Sequence, residues 1–290
     1  MYNYFSGNFS LDSFDGAGSE MISTVDYYLT DEAGNPDPNA GWCNPLKSGF
    51  EDSCPASQQI VYSDEYTVLD VTAHEWTHAV DDYAVRDEDA GLYGLTYSDE
   101  SGALNESYSD IFGVLIEAEY GDGLEWDIGE DLPTGAQRNL AVPTLYGQPD
   151  EWSDYDSSED VHYNSGIPNK AAYLIIDGLG EEKAGNIFYY TLRDQLTVAA
   201  TFEDNFYALM STCLTLDVAS ITPADCQSIY DAYETIGVLD STTTYVYADL
   251  QTSTTEGYAP LTIDFDGSDS ESYGGTITDY VWDFDTSIDS

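Results

Sequence analysis

Basic side chains are nearly missing from this sequence. Lys and Arg total 6 against 56 Asp and Glu, for a formal net charge of −50. Such a surface repels phosphate backbones and anionic headgroups, which excludes nucleic-acid binding and recruitment to an anionic membrane. Histidine is almost as scarce, with 3 in 290 residues. No apolar run reaches the roughly 18 residues that a transmembrane helix needs. The first 20 residues carry neither a basic segment nor an apolar stretch, so no signal peptide is expected here. No C-x-x-C occurs, which argues against cysteine-bound zinc.

Apolar material is ample. The chain is 42% hydrophobic and 14% aromatic, enough for one large core or two modest ones and incompatible with intrinsic disorder. The acid excess runs along the whole chain, and its self-repulsion is relieved when salt screens it. That points to a halophilic protein; a merely acidic secreted protein loaded with calcium is the alternative. Cys43, Cys54, Cys213 and Cys226 form two pairs close in sequence. Two local disulfides suit a secreted, extracellular chain, with four reduced, buried thiols as the other reading.

Residues 1–62 mix short apolar runs with Gly, Asn, Asp and Pro, and are expected to form strands and long loops, with a strand over 21–29. Residues 67–84 place Val68, Leu69, Val71, Ala73, Trp76, Ala79, Val80 and Tyr83 near helical spacing, and 103–120 repeat the pattern. The polar, acidic stretch 121–165 reads as functional loops. Helices are predicted over 171–178, 183–195, 202–216 and 223–236. A linker follows at 241–244, and then alternating runs at 261–265 and 280–284 predict strands.

The strongest signal is His74-Glu75-Trp76-Thr77-His78 on a predicted helix. Residues four apart share a helical face, so both imidazoles can reach one ion, with Glu75 beside them to take a proton from water. Catalytic zinc needs a third protein ligand, and Glu106 on the next helix is the candidate. Asp110, four residues later, can orient a ligand imidazole. His162 is the one histidine left, and its rarity favours a functional role.

Three blocks carry a resemblance to the thermolysin-like neutral proteases. They are the run 70–80 around His74 and His78, Glu100-Ser101-Gly102-Ala103-Leu104-Asn105-Glu106-Ser107-Tyr108-Ser109-Asp110, and Val161-His162-Tyr163-Asn164-Ser165-Gly166. The likeness runs from about residue 13 to 238. It implies an α+β metallopeptidase of two lobes, the first β-rich (about 1–88) and the second mostly helical (89–240). It also implies zinc on His74, His78 and Glu106, with Asn105 and Asp110 orienting the ligands, and Glu75 as general base. Tyr97 and His162 would stabilise the oxyanion. Asn39, Ala40 and Arg138 would bind substrate, and Asp70, Glu117, Glu125, Asp127 and Glu130 would bind structural calcium. Residues 246–290 resemble the start of a PKD domain, an immunoglobulin-like all-β sandwich cut short here.

The sequence departs from the family pattern in several places. About eight extra residues near 86–94 are expected to loop out. A Cys43–Cys54 insertion follows the substrate edge strand, and Cys213–Cys226 is the second expected bridge. Either Asp156 or Asp160 is available to orient His162. Gln137 stands where the family often has an apolar residue lining the specificity pocket. The chain begins inside the family's first lobe, so it reads as a fragment. The resulting expectation is a secreted, monomeric zinc endopeptidase that cleaves proteins or peptides on the N-terminal side of hydrophobic residues. The rivals are an inactive, calcium-stabilised adhesion protein on the same fold, and an aminopeptidase.

Overall fold

The computed structural model describes residues 1–30, 35–47, 54–87, 89–121, 123–218, 220–258 and 260–282. Two units divide the chain, Met1–Val238 and Leu239–Ser290. The first opens with helix α1 (Tyr2–Phe9), which corrects the expectation of strands and loops there. Packing explains it: Tyr4, Phe5 and Phe9 are buried, Phe9 stacks on Tyr189 with ring centroids 4.1 Å apart, and Phe5 lies 5.3 Å from Phe112.

Five short strands follow: β1 (Ser23–Thr24), β2 (Leu29–Thr30), β3 (Pro36–Asp37), β4 (Ala40–Cys43) and β5 (Gln59–Tyr62). The single strand expected over 21–29 is thus two short ones. β5 pairs in parallel with β1 and antiparallel with β4, where Ala40 faces Tyr62 and Trp42 faces Ile60. β4 is the edge of this sheet. The disulfide Cys43–Cys54 ties its end to the segment that leads into β5.

Helix α2 (Leu69–Ala84) buries Val71, Ala73, Trp76, Ala79 and Val80 on one side. The extra segment then folds as a two-stranded antiparallel ribbon, β6 (Arg86–Asp87) with β7 (Leu92–Tyr93), where a plain loop was expected. Gly94 at φ +71° closes the ribbon against α2. A Cβ there would lie 2.4 Å from Asp81 Oδ2 and 2.6 Å from Asp82 Oδ1, so only glycine fits. Helix α3 (Asp99–Tyr120) is buried from Ser101 to Glu117 and packs along α2.

Residues 121–165, expected as loops, contain the pair β8 (Asp127–Ile128) and β9 (Arg138–Asn139), two 3₁₀ turns and helix α4 (Val161–Asn164). The expected helices follow as α5 (Gly166–Leu179), α6 (Glu181–Asp194), α7 (Phe202–Thr215) and α8 (Gln227–Thr235), with a 3₁₀ turn at Pro223–Cys226 before the last. Cys213–Cys226 joins α7 to that turn. The unit is α+β, with its paired sheet before Gly94 and helices dominating after it.

In the second unit β10 (Tyr245–Tyr247) pairs with β13 (Glu271–Tyr273), and β11 (Gln251–Thr252) with β12 (Phe265–Asp266), both antiparallel. The strand expected over 261–265 shrinks to Phe265–Asp266. Residues 280–282 form no strand; Val281 is 89% exposed. Alternation alone does not make a strand where no neighbour offers a ladder. Residues 283 and 284 of that prediction lie outside the described residues.

Candidate active site

The facing sides of α2 and α3 carry polar groups where a core would be apolar. His74, Glu75, Asp81 and Asp82 on α2 are buried, as are Asn105, Glu106, Ser109 and Asp110 on α3. Burying such groups is costly unless each finds a partner, and the pairing is specific. His74 Nδ1 lies 2.8 Å from Asp110 Oδ1. A carboxylate only accepts, so Nδ1 carries a hydrogen and Nε2 is the nitrogen left to a metal. Asn105 Nδ2 donates to Asp81 Oδ2 at 2.5 Å, which turns Asn105 Oδ1 toward His78 Nδ1 at 2.6 Å. Ser109 Oγ lies 3.0 Å from the same nitrogen. His78 therefore presents a bare Nε2.

The two Nε2 atoms are 3.0 Å apart, and Glu106 Oε2 is 3.2 Å from that of His74. Glu106 Oε1 is 3.5 Å from His78 Nε2, and Oε2 is buried with no hydrogen-bond partner. Two imidazole nitrogens and a carboxylate aimed at one point need positive charge among them, which a proton on His74 supplies and a metal ion supplies when it displaces that proton. Two imidazoles and one carboxylate are the donor set of a catalytic zinc site. Burial pushes His78 down to about 3. For His74 burial acts the same way, but the hydrogen bond to Asp110 and the charge of Glu106 outweigh it and raise it to about 10. Arg138 clamps Asp110 from the other side, with Nε and Nη2 at 2.9 and 2.8 Å, and Asn169 Nδ2 adds a third donor at 2.9 Å. Asp110 is thereby held far below the usual carboxylate range.

Glu75 faces the same space from α2. Its Oε2 accepts the backbone N–H of Trp42 on β4 at 2.8 Å. Burial raises its carboxyl above the ordinary value, as suits a group that must accept and release a proton. Across the cleft Tyr97 Oη donates to Glu106 Oε1 and lies 3.3 Å from His162 Nε2. Asp160 Oδ1 is 2.6 Å from His162 Nδ1, so Asp160, not Asp156, orients this ring. Glu106's charge and that hydrogen bond raise His162 above the ordinary imidazole value. Gly102 permits the arrangement, because a Cβ there would lie 2.5 Å from Val161 Cγ1.

These groups line a cleft of about 340 Å³, bounded on one side by β4 with Asn39 and Ala40, and on the other by Val71, Ile128, Gln137 and Arg138. Sequence reasoning named Asn105 as orienting the ligands but missed the Trp42–Glu75 bond, Asp81 behind Asn105, Ser109, Asn169 and Lys47. A second acidic cluster joins Asp70, Glu117 and Glu130, whose oxygens lie within 4.8 Å of one another. Glu125 and Asp127 are outside this group; Asp127 Oδ1 instead accepts from Asn139 Nδ2 at 2.8 Å.

The sequence matches the thermolysin metallopeptidase catalytic domain over residues 1–82 and the family's alpha-helical domain over residues 93–238. This chain belongs to the thermolysin metallopeptidase family. Its relatives include the neutral protease NprE of Bacillus pumilus, 36% identical over 230 residues, which cover 73% of this chain and 66% of that protein. The thermostable neutral protease NprT of Geobacillus stearothermophilus is 35% identical over 267 residues, 82% of this chain and 43% of that one. The chain thus spans less than two thirds of the length of these thermolysin-family proteins. Among solved structures, the precursor of protealysin, a metalloproteinase from Serratia proteamaculans, matches with a TM-score of 0.65 and 29% identity, covering 82% of this chain and 75% of that one. The family is zinc-dependent with structural calcium, and the two metal-ready clusters suit those ions in turn.

Proposed function

We propose that this chain is the catalytic part of a secreted, monomeric zinc endopeptidase that hydrolyses internal bonds of proteins and peptides. The observation that carries the reading is the convergence of His74 Nε2, His78 Nε2 and Glu106 on one point beside Glu75. His74, His78 and Glu106 would hold the zinc, which supplies Lewis acidity to the scissile carbonyl and acidifies water. The substrate would lie extended along the edge strand β4, pairing with backbone at Ala40 beside the Asn39 side chain, since the Asn39 backbone is already bonded to Ser63. Glu75 takes a proton from the attacking water and returns it to the leaving amine. Tyr97 Oη and His162 Nε2 donate to the oxygen that gains charge, and Asp160 fixes the His162 ring for that task. Arg138 braces Asp110, and through it His74, at the wall that receives the residue after the scissile bond. Val71 and Ile128 make that wall apolar, favouring cleavage before hydrophobic residues. Asp70, Glu117 and Glu130 would hold structural calcium, with Glu125 and Asp127 in its surroundings.

Glu75→Gln tests the reading. It keeps size and zinc ligands but removes the base, so bound zinc should match the parent while casein cleavage falls by about 10²–10⁴-fold. A variant that still digests casein at the parental rate would refute the assignment. A parent that binds zinc and cleaves nothing would return the fold to an adhesion role.

A further inference from the structure

Among the described residues, the lysine and arginine side chains lining the cleft are Lys47 and Arg138. The two sit differently. Arg138 spends its guanidinium on Asp110 through two nitrogens. The Lys47 ammonium makes one hydrogen bond among the described residues, from Nζ to Asp82 Oδ1 at 2.7 Å. An ammonium has three donors, and this side chain remains 21% exposed.

Its anchor is rigid. Asp82 is buried four residues beyond His78 on α2, and its other oxygen accepts Trp42 Nε1 at 2.8 Å and Asn44 Nδ2 at 2.9 Å. Asp82 is therefore fully committed to this chain's own donors and cannot turn outward. Gly94 backs the ammonium closely, since a Cβ there would come within 3.2 Å of Nζ, and so helps to fix its position. Lys47 follows the end of β4, on the His78 side of the metal-ready cluster. The apolar wall of Val71 and Ile128 lies toward Arg138, on the His74 side. A peptide lying along β4 with its hydrophobic residue against that wall brings the residues before the scissile bond toward Lys47.

We infer that Lys47 is a specificity-determining residue that selects an acidic side chain on the N-terminal side of the scissile bond. The inference rests on the peptidase reading above. Its physical ground is contrast. A surface with 56 acids and 6 bases repels an acidic peptide almost everywhere, so one pre-positioned ammonium, with donors that no described residue takes up, discriminates at the position it reaches. A charge-assisted hydrogen bond from a partly exposed lysine corresponds to about a threefold to tenfold preference.

The test uses the full chain at one fixed salt concentration with fluorogenic peptides that share a hydrophobic residue after the scissile bond. They carry Glu, Gln or Lys at each of the two positions before it. The expected order of kcat/KM is Glu above Gln above Lys at one of these positions. The Glu-to-Gln ratio should stay above one in Lys47→Arg, fall to about one in Lys47→Gln, and invert in Lys47→Glu. Thermal melts of the variants identify any that fail to fold. The wild-type ratios need no variant, and a Glu-to-Gln ratio of one or less at both positions overturns the proposal. So does a preference that survives in folded Lys47→Gln. Cleavage of the peptides without acidic preference sinks this inference alone, whereas no cleavage of any peptide sinks the peptidase reading with it.

Discussion

At the scale of single residues, the site divides labour between side chains that face one point and those that aim them. Among the described residues, Glu106 is the only carboxylate that reaches both Nε2 atoms. Glu106→Gln should therefore lose zinc, measured by metal analysis after dialysis, because a neutral amide is a poor ligand beside two imidazoles. Glu75→Gln should retain zinc, so the two variants separate metal loss from base loss. Asp160 aims His162 and also caps α4, accepting the His162 backbone N–H at 2.9 Å. Asn is an equally good cap, so Asp160→Asn should melt like the parent. Its kcat should fall, though by less than the roughly 10²–10³-fold expected when His162→Ala removes the oxyanion donor itself. An unchanged kcat would mean that His162 is oriented by its backbone alone. The motif made the metal-facing residues legible because spacing four apart on a helix is geometry written in one dimension. The aiming residues were harder to read. Asp156 and Asp160 looked alike in sequence, and only the start of α4 decides between them. Trp42 acts through its backbone N–H, which no side-chain motif reveals.

At the scale of elements, α2 and α3 were readable because apolar periodicity and the metal motif agree on the same faces. Helix α1 was not. Its sequence contains Gly7 and two asparagines, poor helix formers, and the helix exists because Tyr4, Phe5 and Phe9 have Phe112 and Tyr189 to pack against. The ribbon of β6 and β7 depends likewise on a partner, the carboxylates of α2 beneath Gly94. The junction of α2, α3 and β8 holds the acidic cluster. Burial, with the charges of Asp70 and Glu130, raises Glu117 from 4.5 to about 8. Burial first of all raises Asp70 and Glu130 as well. Without a cation the folded state thus binds more protons here than the unfolded chain does. Stability must then fall as pH rises from about 4.5 to about 8. Calcium removes the slope by favouring the ionised carboxylates. In the Glu75→Gln background, which cannot digest itself, the melting temperature in EGTA should drop between pH 5.5 and pH 8, while calcium should flatten the change. A flat profile in EGTA would exclude this cluster as a calcium-linked site.

At the scale of the whole molecule, the sign of the salt response follows from which charge pairs exist. Attractive pairs are limited by the 6 basic residues and include Lys47–Asp82, Arg138–Asp110, Lys183–Asp225 and Arg193–Asp194. In the first two the acid is at most 1% exposed, and buried pairs are screened little. Repulsion, in contrast, is spread over an excess of 50 negative charges, most of them carried in water where salt reaches them. Raising ionic strength from about 0.1 M to about 1 M shortens the screening length from about 10 Å to about 3 Å. It therefore removes far more repulsion than attraction. The melting temperature, followed at constant calcium, should climb steadily with NaCl into the molar range. KCl should match NaCl, because screening depends on ionic strength rather than on the identity of the ion. Sulfate should add a further increment through its effect on apolar burial. If chloride salts leave the melting temperature flat and sulfate alone raises it, burial and not charge governs the response. The acid excess would then have a cause other than adaptation to salt.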